Sequence, residues 1–175
     1  MCIKYQFNLY SKKEYFYKIF FPPFTIFVIM TSIMTYLQGF NGIFNTLKVF
    51  LGTFLFGWFM IFGFPLIYLY SNHFINGRKT KLKIDNDIIE YSDNNGKVLK
   101  FAINDIQKIE LWLTTFSYDK RIDFQYFGKY HFTRFYLKTG ENFDVSCLIF
   151  DKTTNFFSED LIYRKRKLFP LIREA

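Results

Sequence analysis

Histidine and cysteine are almost missing from this chain: two of each occur among 175 residues. So few cysteines exclude a disulfide framework, and no Cys or His pair has the spacing of metal ligands. His73 and His131 have no nucleophile or metal-spaced partner beside them in sequence, and neither a glycine-rich phosphate loop nor a nucleophile elbow occurs. A catalytic centre, a cofactor site and a metal site are therefore not expected. Asp119, Asp123 and Glu141 read as solvated turn and strand residues. Cys147 shares an alternating face with Phe143, Val145 and Ile149, as a core residue does, and no lipobox precedes Cys2.

Charge is missing from two long stretches. No Asp, Glu, Lys or Arg lies between Ile19 and Leu47, and after Lys48 the charge-free run resumes from Val49 to Gly77. Each exceeds the roughly 20 residues that a helix needs to cross a bilayer core. The sequence thus predicts two membrane spans, near Phe20 to Leu37 and near Leu47 to Tyr70, joined by "QGFNGIFN". Lys4, Lys12, Lys13 and Lys18 precede the first, while Arg78, Lys79, Lys81 and Lys83 follow the second. That asymmetry predicts both termini in the cytoplasm. Neither span contains an ionisable residue, which argues against a transport pathway. Thr53 and Gly57 have the spacing of a close helix contact.

Local signals divide the rest. "CIKYQFNLY" alternates Ile3, Tyr5, Phe7 and Leu9 with polar residues, so the arm is either a strand on a later sheet or a loose terminus. "SKKE", Ser11 to Glu14, has capping-box spacing. Pro22 and Pro23 predict an interruption of the first helix, and Pro65 a bend in the second. From "TKLKI" onward, "DIIEY", "KVLKFAI", "IQKIELWL", "IDFQYF", "HFTRFYLK" and "FDVSCLI" predict about seven strands, separated by turns such as "DNNG". "SEDLIYRKRKLFP" predicts a final helix capped by Ser158, with Phe157, Leu161, Leu168 and Phe169 as its apolar stripe. Three regions result: an arm over residues 1–18, a helical hairpin over 19–77 and a β domain over 78–175.

The order of strands around "KVLKFAINDIQKIELW" and "FYLKTGENFDVSCLI", followed by a helix, resembles bacterial pleckstrin-homology-like domains. With the arm and two spans in front, the chain resembles small bacterial membrane proteins of the YcxB-like or PH-domain-containing type. The expected fold class is an α+β membrane protein: a two-helix transmembrane hairpin, then a PH-like domain of about seven strands capped by a C-terminal helix. The resemblance implies a multi-pass protein of the bacterial cytoplasmic (inner) membrane.

The formal charge of +8 is too small to argue for nucleic acid. Two basic clusters matter more: Arg78, Lys79, Lys81 and Lys83, and Arg164, Lys165, Arg166 and Lys167. Both are candidate contacts with a membrane surface, because basic residues near anionic lipid gain about 1 kcal/mol each. Phosphoinositide binding by related eukaryotic domains suggests a headgroup pocket around the first cluster. The simpler expectation is diffuse attraction, with the lysines on the wet face of an edge strand. The expected function is a non-enzymatic, membrane-anchored interaction module. Its partners would be the lipid bilayer, anionic phospholipid headgroups or an unidentified protein, with a homo-oligomer compatible. An immunity-type protein acting through its hairpin is the alternative.

Overall fold

In a strand, successive side chains point to opposite faces, and the alternating segments of this chain use that period to line one core from two sides. The structure, a computed structural model, describes residues 2–6, 17, 21–22, 24–26, 28–30, 32–33, 36–37, 48, 52–123 and 127–172. Strands β1 (Cys2–Gln6), β2 (Lys81–Asp85), β3 (Ile88–Ser92) and β4 (Val98–Ala102) form an antiparallel sheet in that order. A second sheet has the order β7-β6-β5-β8, from β5 (Ile106–Thr114), β6 (Phe132–Leu137), β7 (Asn142–Ser146) and β8 (Ile162–Lys167). Leu82, Ile84, Ile89 and Tyr91 of the first sheet share a core with Ile109, Leu111, Phe135 and Val145 of the second. Phe143 stacks between Tyr91 and Phe135, with ring centroids 4.2 and 5.0 Å away. Aromatic pairs of this kind add about 0.5–1.5 kcal/mol beyond the area they bury.

The tight β3–β4 turn follows from its residues. Asp93 Oδ1 accepts from the backbone N–H of Asn95 and of Lys97, both at 2.8 Å, and Gly96 takes φ +84°, a conformation open to glycine at no steric cost. Asn94 in the same turn reaches outward. Its Nδ2 donates to the carbonyls of Ile75 and Asn76 at 2.9 and 3.0 Å, and its Oδ1 accepts from Lys79 N–H at 3.0 Å. These bonds satisfy carbonyls that a helix end leaves open.

The helix so capped is α1 (Phe64–Gly77), which continues a π-helix over Thr53–Gly63. Pro65 stands at the junction of the two, where a ring without an N–H removes one bond from the helical run. Leu66, Leu69, His73 and Gly77 are buried, a spacing that lines one helical face. Leu66 and Leu69 pack with Phe127, Tyr130, Cys147 and Leu148. Gly77 allows the closest approach: a Cβ there would lie 3.3 Å from Ile149 Cδ1. The opposite side of the helical run, including Phe56, Met60, Phe64, Ile67 and Tyr68, is exposed.

Three expectations are corrected. Among the described residues no helix is long and apolar enough to cross a membrane. Helix α1 lays one face on the β domain. The transmembrane hairpin is therefore overturned, and with it the multi-pass inner-membrane location with both termini cytoplasmic. The "SKKE" cap, Pro23 and the "QGFNGIFN" turn lie outside the described residues.

The second correction is the final helix. Ser158 makes no side-chain cap, Glu159–Leu161 is a single 3-10 turn, and "IYRKRK" is strand β8, parallel to β5. A helix would set like charges three and four residues apart on one face. A strand sends them to alternate faces, each supplied with an acid or an aromatic ring. The third concerns the strand count. "IDFQYF" is not a strand among its described residues, Phe127 instead opening a 3-10 turn, whereas the arm and β8 bring the described strands to eight. β1 pairs with β2 from Cys2 opposite Asp85 to Gln6 opposite Lys81, so β2 is an inner strand and not an edge.

Candidate cationic interaction surface

The first basic cluster is placed by the junction of α1 with β2. Arg78 is the C-cap of α1, and Lys79 is fixed through its backbone by Asn94. Leu82 and Ile84 enter the core, which turns Lys81 and Lys83 to the outer face of the sheet. Arg78, Lys79 and Lys81 are exposed, and none of the four cations forms an ion pair among the described residues. Lys83 stands opposite Glu90, which in turn stands opposite Lys100. A shallow depression of about 310 Å³ lies beside them, lined by Lys83 and Lys100 but also by Asp85, Asp87 and Glu90. Three carboxylates against two ammonium groups do not make a phosphate cradle.

The second cluster lies on the other sheet. Arg164 makes two 2.9 Å bonds to Glu159, and Arg166 sits 3.6 Å from Asp119 Oδ2. Lys165 pairs in register with Trp112, and the Lys167 ammonium is 5.9 Å from the Trp112 ring centroid. Lys165 also attracts Glu110, a buried carboxylate of β5. Burial opposes the charge of Glu110, but bonds from Lys108 and Tyr136, each 3.1 Å, and the nearby lysines hold its pKa below the usual value. Beside it, Arg134 grips Asp144 in a two-pronged pair at 2.6 and 2.7 Å, the geometry that suits a guanidinium best. Its hydrogen bonds to Asp144 outweigh burial and raise the guanidinium pKa. The outer face of this sheet thus carries two ion pairs, Lys108 with Glu110 and Arg134 with Asp144.

His73 gains partners that its sequence neighbours do not reveal. Its Nδ1 lies 2.9 Å from Ser146 Oγ and its Nε2 lies 2.9 Å from the Pro170 carbonyl. The carbonyl can only accept, so Nε2 carries the proton and Ser146 donates to Nδ1. Ser146 Oγ also accepts from Leu148 N–H at 3.1 Å. A serine beside a histidine has the form of an activated nucleophile, but both residues are buried, at 1% and 0% exposure, and a carbonyl, not an acid, stands behind the imidazole. The arrangement holds α1, the end of β7 and the C-terminal tail together. Burial lowers the His73 pKa to about 4, against the bond to Pro170 and with a small push from His131. Asn72 adds a reciprocal pair, accepting from Ile172 N–H at 2.8 Å and donating to its carbonyl at 3.2 Å. Among the described residues no group of three or more His, Cys, Asp or Glu could hold a metal ion.

Two sheets around a shared core, with β1 drawn from the arm, agree with the extent of the family match: the PH domain family covers residues 4–156. The chain belongs to the PH domain family. No curated protein matches it. PH domains are typically non-catalytic modules that bind proteins or lipid headgroups, so this PH domain is an interaction module in that broad sense. The matched residues include β1 from Lys4 onward, α1 and the first basic cluster, whereas β8 and its four cations lie beyond them.

Proposed function

We propose that this PH domain is a non-catalytic module that contacts anionic phospholipid surfaces by diffuse attraction. Arg78, Lys79, Lys81 and Lys83 provide the main contact, and Arg164, Lys165, Arg166 and Lys167 a secondary one. The observation that supports this reading is the exposure of Arg78, Lys79 and Lys81 with no ion pair among the described residues. Each such residue close to an anionic bilayer contributes about 1 kcal/mol, and salt screens the attraction. The mixed lining beside Lys83 disfavours a specific phosphate pocket. The hairpin-based immunity reading has no span to rest on among the described residues. Co-sedimentation of the full chain with vesicles of matched charge but different headgroups tests the proposal. Equal binding to all anionic vesicles is expected, and strong preference for one headgroup overturns it.

A further inference from the structure

β8 closes the second sheet on one side only. Its partner is β5, and no described strand pairs with its other edge. Alternate residues of such a strand turn their N–H and C=O groups away from the sheet, where another extended chain can bond to them. Tyr163, Arg164, Lys165 and Arg166 are all exposed. Their charge divides between the two faces: Arg164 and Arg166 lie with Glu159 and Asp119, and Lys165 lies with Trp112 and Glu110.

Cations on an open edge repel a second strand of the same kind, which guards against self-association. The same charges select for a strand of opposite charge, because specificity comes from repelling the wrong partner as well as attracting the right one. We propose that β8 is a docking edge for an extended acidic peptide segment of a partner protein, added as a fifth strand beside Tyr163 to Arg166. Carboxylates at successive positions of that segment fall on both faces, as the cations of β8 do. A lipid surface offers charge but no backbone in register, so this contact is distinct from the one proposed at Arg78 to Lys83.

The test uses the full chain and three probes: a synthetic peptide repeating Glu-Glu-Val, whose paired glutamates fall on both faces of a strand, the same peptide with its valines replaced by proline, and anionic vesicles. Hydrogen exchange is read at the amides of residues 163–166. Proline keeps the charge but removes backbone donors, so the expected result is protection by the first peptide alone, abolished in a Lys165→Glu, Arg166→Glu variant. A proline peptide that binds as tightly as the valine peptide shows attraction without strand pairing and overturns the proposal. Absence of binding by either peptide also overturns it, as does equal protection by vesicles. None of these outcomes alters headgroup dependence in co-sedimentation, which judges the lipid proposal separately.

Discussion

The two basic clusters carry four cations each and have opposite surroundings. Arg78, Lys79 and Lys81 emerge where a helix ends and an inner strand begins, exposed and without ion pairs among the described residues. Arg164 and Arg166 emerge on an edge strand whose neighbours already supply Glu159 and Asp119. A count of lysines and arginines treats these as equal. The structure teaches that a cation's availability depends on which carboxylates the fold brings to it, and that the first cluster has more charge to offer a partner.

The strongest way to break the comparison is to free the helix that positions the first cluster. His73→Ala leaves Ser146 and the Pro170 carbonyl without their buried partner and opens a cavity. Destabilisation of about 3 kcal/mol or more is expected in denaturant unfolding. Acid should reach the same joint without mutation. The His73 pKa falls from 6.5 unfolded to about 4 folded, so the neutral form is the one that folding favours. Its contribution is complete above pH 6.5 and is lost as pH falls towards 4. The loss amounts to about 3 kcal/mol, to be read as the difference between wild type and His73→Ala across that pH range. A smaller effect is expected at the helix end, where Asn94→Ala should cost about 1–2 kcal/mol by removing the bonds to Ile75, Asn76 and Lys79. Smallest of all for stability, replacing Lys79 and Lys81 by Gln should change unfolding by no more than about 0.5 kcal/mol, because Leu82 and Ile84 still supply the buried face of β2.

Strand periodicity made most of the sandwich legible. β2 to β7 lie where alternating residues and turns such as Asp93–Gly96 predict them. Two elements were hidden for different reasons. β8 contains no local contradiction of a helix: its capping Ser158 and basic end suit one, and only the open edge of β5 decides otherwise. In the second apolar window, Leu66, Leu69 and His73 are spaced to line one face, yet the aromatic and aliphatic residues between them conceal that face. The basic residues of the candidate surface were all visible in the sequence. Their ion pairs were not, because Asp119 and Arg166 are brought together only by folding. The partners of His73 were invisible for the same reason, since Ser146 and Pro170 are 73 and 97 residues away.

The most direct measurement is vesicle co-sedimentation of the full chain at low and high salt, with two charge variants alongside. One carries Lys79→Gln, Lys81→Gln and Lys83→Gln, and the other carries Arg164→Gln, Lys165→Gln and Arg166→Gln. The account predicts binding to anionic vesicles that weakens as salt shortens the screening length, with a larger loss in the first variant than in the second. Salt-resistant binding to a single headgroup, or a larger loss from the β8 variant, would contradict it.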